Sequence, residues 1–231
     1  LDADIYGPSL PTMLGIGIGK YPDTVDDAWF VPHHAHGVDV MSIGFLLQGD
    51  SPVVWRGPKA TGALIQLVSQ TRWSSLDYLI VDMPPGTGDI QLTLAQRVPV
   101  AGAVVVTTPQ DIATLDAKKG IEMFRKVDIN VLGIVENMSQ HICTNCGHTE
   151  AIFGSGGGVQ MAEQYDVALL AQLPLDKRIR EQTDAGCPTV AADPDGNLAQ
   201  QYTELARRVS ARLALGQRVA DTRIPLNPSS K

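Results

Sequence analysis

Aromatic residues are scarce in this 231-residue chain, at 5% of positions, and there are only three cysteines. An odd, small number of thiols excludes the disulfide framework that staples small secreted domains and points to reduced cysteines in the cytoplasm. Positive charge is not in excess either. Eighteen Lys and Arg face 25 Asp and Glu, a net charge of −7, which argues against a non-specific nucleic-acid binder or a partner of anionic membranes. Uncharged runs such as Val98–Gln110 are too short to span a bilayer, and no signal-peptide pattern is visible. Internal repeats and low-complexity tracts are missing as well. What is left is a composition of 44% hydrophobic and 19% charged residues, that of a soluble globular chain long enough for a sizeable core.

Short apolar runs alternate with helical patterns, which predicts βαβ units: an α/β fold with a parallel β-sheet and helices on both faces. Strands are expected at Val38–Leu46, Tyr78–Met83, Ala101–Thr107, Val131–Glu136 and Ala168–Gln172, with Leu1–Ala3 the tail of another. Helices are expected at Lys59–Thr71, Ile90–Gln96, Ile112–Lys126, Gly158–Tyr165, Lys177–Ala185 and Leu198–Leu213. Asp111 and Asp176 read as N-caps. One domain is expected over 1–215, followed by a disordered tail over 216–231.

Three motifs carry chemistry. In Val81-Asp82-Met83-Pro84-Pro85-Gly86-Thr87-Gly88-Asp89, an apolar strand delivers one carboxylate to the carboxyl edge of a sheet, where α/β folds bind ligands. In phosphate-transferring enzymes such an Asp holds Mg²⁺ through water. Pro84, Pro85 and Gly86 first restrict and then free the backbone, so Gly86 can offer its N–H to a terminal phosphate. Asp2 and Asp4, two residues apart on an extended segment, point the same way and suit a shared cation or an activated water. Cys143 and Cys146 form a CxxC; thiolates bind iron–sulfur clusters or Zn²⁺, and either normally takes four protein ligands.

Together with Val38–Leu46, Thr108-Pro109-Gln110-Asp111 and Val135-Glu136-Asn137-Met138-Ser139, these motifs resemble the Mrp/ApbC family. Its members are iron–sulfur carrier ATPases related to MinD and the nitrogenase iron protein. The resemblance runs from Leu1 to about Val190 and implies a deviant P-loop NTPase fold. It implies that Asp4 orients or activates the attacking water, that Asp2 lies near the Mg²⁺ and that Asp82 holds Mg²⁺ indirectly. It places a base-reading Asn at Asn137. It further implies ATP and Mg²⁺ as ligands and a homodimer in which Cys143 and Cys146 of both copies share one cluster, of the 4Fe-4S type. Apo iron–sulfur proteins are the implied clients, with no nucleic acid and no membrane. The family's phosphate-binding loop is not found, so the chain reads as a fragment lacking its first strand, P-loop and first helix, inactive by itself.

Other readings compete. A MinD/ParA-type positioning ATPase shares the fold but needs no CxxC. A zinc-stabilised module without turnover could recruit His141 and His148, although their spacing is not that of the usual separate Cys and His pairs. A redox dithiol normally opens a helix. Gly15–Lys20 imitates a phosphate loop, but Leu14 occupies the first glycine position, Tyr21 replaces Ser/Thr and no strand precedes it. His33, His34 and His36 are explained by a polar loop, Asp193–Asn197 by a turn before a helix, and Cys187 by a half-buried position.

Overall fold

The computed structural model describes residues 1–17, 19–26, 28–46, 57–143 and 145–216. They fall into two compact units, Leu1–Pro99 with Gln182–Pro188, and Val100–Glu181 with the residues from Thr189 to Gly216.

The first unit holds α1 (Leu10–Met13), two small antiparallel ribbons, and two longer helices. The ribbons pair β1 (Thr24–Val25) with β2 (Trp29–Phe30) and β3 (His33–Ala35) with β4 (Val38–Val40). Helices α2 (Gly57–Gln70) and α3 (Asp89–Arg97) supply Leu64, Leu67 and Leu94 to a core shared with Ala3, Met41, Ile43 and Phe45. The strand expected over Val38–Leu46 stops at Val40 and gives way to a 3-10 turn at Ile43–Leu46. At Tyr78–Met83 no continuous strand forms. Instead Leu1–Ala3 runs between Met41–Ile43 and Ile80–Asp82 as a short parallel ladder. Asp2 N donates to Met41 O at 2.9 Å, Ile43 N to Asp2 O at 3.1 Å, Asp82 N to Leu1 O at 2.8 Å and Ala3 N to Asp82 O at 2.9 Å. Bridges form only at Asp2, to Ser42 and Asp82. The expected burial on both faces also fails: Leu79, Val81 and Met83 pack on the core, whereas Tyr78 and Ile80 are 59% and 79% exposed. Covering one face with core makes period-2 alternation, not a wholly buried strand.

The second unit contains a parallel sheet of order β5–β6–β9, formed by β5 (Ala103–Thr107), β6 (Val131–Glu136) and β9 (Leu169–Gln172). All six residues of β6 are buried, as a central parallel strand requires. Adjacent residues point to opposite faces, and both faces are covered. Ile134 packs with Ile121 of α4 (Asp111–Lys126) and Met161 of α5 (Gly157–Tyr165). Val135 packs with Tyr202, Leu205 and Val209 of α8 (Asn197–Gly216). Gly133 lets β9 approach β6: at φ +155° a Cβ there would lie 2.5 Å from Ala168 O. Between β6 and α5 the chain leaves the sheet to form a hairpin of β7 (His141–Ile142) and β8 (Thr149–Glu150). Short helices α6 (Lys177–Asp184) and α7 (Thr189–Ala192) follow β9.

The helices lie within a few residues of their expected bounds. Asp176 Oδ1 accepts the Arg178 N–H at 2.8 Å, the bond of an N-terminal cap. At α4 the N-cap is Gln110 without a side-chain bond, and Asp111 falls in the first turn, where its charge still opposes the helix dipole. The expected tail beyond Gly216 lies outside the described residues.

Candidate functional site

Two groups of chemistry-bearing residues form, one in each unit. In the first unit the ladder places Asp2 wholly inside the protein. Its Oδ1 accepts from Asp4 N at 3.1 Å, and its Oδ2 from Leu10 N at 3.2 Å and Ser42 Oγ at 2.9 Å. Ser42 Oγ in turn accepts from Gly44 N at 2.9 Å. Burial raises the Asp2 carboxyl above its ordinary range, against the pull of these donors. Asp4 is half-buried, and its Oδ1 closes the following loop by accepting from Tyr6 N at 3.0 Å and Gly7 N at 3.2 Å; among the described residues no hydrogen bond reaches Oδ2. Asp82 ends the Ile80–Asp82 segment on the solvent side. Its carboxyl is also held above the usual range, by partial burial first and then by the charges of Asp2 and Asp4. Neither Asp2 nor Asp82 has a Lys or Arg ion-pair partner among the described residues. The three carboxylates are close enough for the charges of Asp2 and Asp4 to act on Asp82, but they do not form a set of three placed to hold a metal ion.

The Pro-rich loop after Asp82 is fastened by a residue that sequence reasoning missed. Gln91 of α3 is buried, and its Nε2 donates to Pro85 O at 2.7 Å and Pro84 O at 3.5 Å. The available signal was an amide six and seven residues beyond two prolines whose carbonyls need donors. Gly86 has φ +100°, a conformation that suits glycine, and its N–H makes no backbone hydrogen bond among the described residues.

In the second unit β6 delivers Asn137, whose N–H donates to Thr107 O at 2.7 Å. Its Oδ1 accepts from Met138 N at 2.9 Å, and Met138 takes a left-handed φ of 56°. The side-chain amide nitrogen is thus the part left for a ligand. Cys143 and Cys146 lie at the tip of the β7–β8 hairpin, half-buried and exposed respectively. The turn is closed by Cys143 N to His148 O and Gly147 N to Cys143 O, both at 2.9 Å. The Cys143 thiol is held below its ordinary range by the N–H groups of Cys146 and Asn145, then by the Cys146 side chain, which favours the thiolate that ligates metal. The pair opens no helix. His141 Nδ1 is engaged with Leu175 O at 3.0 Å. Among the described residues, no group of three or more His, Cys, Asp and Glu is placed to hold a metal ion. The hairpin therefore presents two thiols without a third ligand.

Glu136 is the second residue that was missed. It is fully buried and accepts from Gly158 N at 2.6 Å and Gln172 Nε2 at 2.7 Å. The remaining candidates do not converge. His33 bonds Lys20 O, His34 bonds Asp39 and His36 bonds Gly186 O. Gly15 follows α1 rather than a strand and packs on Gly186. Cys187 is half-buried.

Comparison with known proteins agrees with these features. The profile of the ParA family described as NUBPL iron-transfer P-loop NTPase matches residues 1–210. An iron–sulfur cluster carrier protein of Pseudomonas fragi is 64% identical over 206 residues, 89% of this chain and 72% of that protein. One from Escherichia coli is 58% identical, covering 92% of this chain and 58% of its own length. The mouse iron–sulfur cluster transfer protein NUBPL is 45% identical over 92% of this chain and 66% of its own. This chain thus spans between about three fifths and three quarters of these relatives. Among solved structures, a nucleotide-binding protein of Archaeoglobus fulgidus in complex with ADP superposes with a TM-score of 0.70 at 33% identity, over 86% of this chain and 76% of that one. Pyrococcus furiosus MinD superposes at 0.61 with 20% identity, over 91% and 84%, and speaks to the fold alone. The chain belongs to the NUBPL-type iron-transfer P-loop NTPases of the ParA family, with the α/β fold of that class.

Proposed function

We propose that this chain is the greater part of an ATP-dependent carrier that binds an iron–sulfur cluster as cargo and passes it to apoproteins in the cytoplasm. The observation that supports the reading is the hairpin tip: two thiols, one held below its ordinary range by backbone N–H groups, with no further protein ligand beside them among the described residues. A four-iron cluster takes four thiolates, so two copies facing each other across a two-fold axis would complete the set.

The carboxylate group serves the nucleotide in this reading. Bound Mg²⁺ would neutralise phosphate charge, the main requirement of phosphoryl transfer. Asp82 would hold that ion through water, and Asp4 Oδ2, which accepts no hydrogen bond among the described residues, would orient the attacking water. Asp2, expected beside the Mg²⁺, acts instead through the loop it fastens, because three donors engage its own oxygens. Gly86 directs its N–H to the terminal phosphate, and the Asn137 amide meets the adenine edge. No GxxxxGK[ST] sequence occurs among the 231 residues, so the phosphate cradle is assigned to a segment outside them. The 231-residue chain by itself then neither hydrolyses ATP nor binds it tightly.

Anaerobic reconstitution of the chain with iron and sulfide, followed by elemental analysis, tests the cargo. Iron and sulfide in equal amounts support the carrier. Zinc alone, with no sulfide retained, would replace it with a structural module.

A further inference from the structure

The cysteine hairpin is mounted unevenly. Its outgoing leg, from Asn137 to His141, is stitched to the segment after β9. Ser139 N and Oγ both donate to Leu173 O, at 2.9 and 3.0 Å, and Leu175 N donates to Gln140 O at 2.8 Å. The returning leg, from Ala151 to Gly157, has no such row. Among the described residues its ties are a turn of its own, Gly154 N to Ala151 O, and, where it becomes α5, the bond from Gly158 N to the Glu136 carboxylate. The legs do not fill the space between them. A polar cavity of about 300 Å³ lies there, lined by Ser139 and Gln140, by Thr149 and Ser155, and by Glu136 and Gln172 of the sheet.

We infer that Glu136 is the positioning residue of the cysteine pair, clamping the returning leg of the hairpin to the sheet. Its two oxygens join the end of β6, the start of α5 and the end of β9. The fit is close: a Cβ on Gly158 would lie 2.8 Å from Glu136 Cβ, so only glycine lets the helix start meet the carboxylate. The N-terminal dipole of α5 stabilises the buried charge, for which no ion-pair partner is found among the described residues. With a cavity in place of packing between the legs, this clamp decides how steadily Cys143 and Cys146 face a metal. It also adjoins Asn137, so a ligand there would touch the residue next to the clamp.

The inference rests on the proposed role of the cysteine pair, and two readouts separate them. The 231-residue chain is titrated anaerobically with Co²⁺, followed by thiolate charge-transfer absorption, and alkylated with iodoacetamide without metal. Glu136→Ala should weaken Co²⁺ binding by about 10–100-fold, the scale of losing an outer partner of a metal ligand, and speed alkylation of Cys143. Glu136→Gln should stay within about threefold of the parent, because its amide can keep both bonds once Gln172 turns over. Glu136→Ala binding Co²⁺ and alkylating like the parent would overturn the clamp. So would Glu136→Gln failing as badly as Glu136→Ala, since charge and not geometry would then matter. Should Glu136→Ala not fold, Gln172→Ala, which removes one donor, must show the intermediate loss. A parent that binds no Co²⁺ refutes the cysteine reading, while the alkylation rates still judge the clamp.

Discussion

The two groups of functional residues are incomplete in opposite ways. In the first unit three carboxylates gather with no Lys or Arg among the described residues paired to Asp2 or Asp82, and burial raises two of them. In the second unit two thiols stand at a hairpin tip with too few ligands for the metals they favour. The first lacks positive charge and the second lacks donors. In the proposed function a cation with a polyphosphate would answer the first need, and a second copy of the hairpin would answer the second. The interiors differ as well. Asp2 takes up three donors and Glu136 two, so each group is held from below by a buried carboxylate that need not touch a ligand.

The sharpest way to break this contrast is at the thiols. Cys143→Ser or Cys146→Ser should each abolish cluster loading, while Cys187→Ser retains it; iron and sulfide analysis after reconstitution reads the difference. Loss confined to the Cys187 variant would move the cargo site elsewhere. Next in size is Asp4→Asn in a protein of the relatives' full length. Hydrolysis should fall by about 100-fold or more with ATP binding largely spared, seen by comparing turnover with equilibrium titration. A parent-like rate would remove Asp4 from the water.

The buried anchor can be tested in the 231-residue chain. Asp2→Ala strands the Ser42 hydroxyl and two N–H groups and should cost about 2–4 kcal/mol in urea unfolding. A neutral outcome would mean that the anchor is slack. The smallest effect is expected at Asp82. A carboxyl raised in the folded state contributes stability that is fully present below its unfolded value of about 3.9 and lost as pH rises through the folded value. Asp82→Asn should therefore raise the melting temperature slightly at neutral pH, and the gain should vanish on acidification below pH ~4. Because Asp82 faces solvent, screening keeps this small; a drop at neutral pH would contradict the like-charge picture.

Parts of this were legible in the sequence for physical reasons. Val131–Glu136 is an apolar run closed by a Glu, and it is the one strand among the described residues that is buried at every position. The CxxC of Cys143 and Cys146 was legible as a motif, but the β7–β8 hairpin that carries it was not expected. Tyr78–Met83 misled because an apolar run does not say how many faces will be covered, and here one is not. Glu136 was invisible for a different reason. Glu136 finds its partners at Gly158 and Gln172, 22 and 36 residues further on, and only the folded topology brings these together. A Glu closing an apolar run otherwise looks like a solvated strand end.

The account turns on the hairpin being half of a site. Native mass measurement of the anaerobically reconstituted chain asks this directly, with the parent mixed in equal parts with a Cys143→Ser/Cys146→Ser chain. The prediction is a cluster-bearing species of two parent chains with four iron and four sulfide, and no cluster on chains paired with the variant. A single parent chain carrying a whole cluster would contradict it.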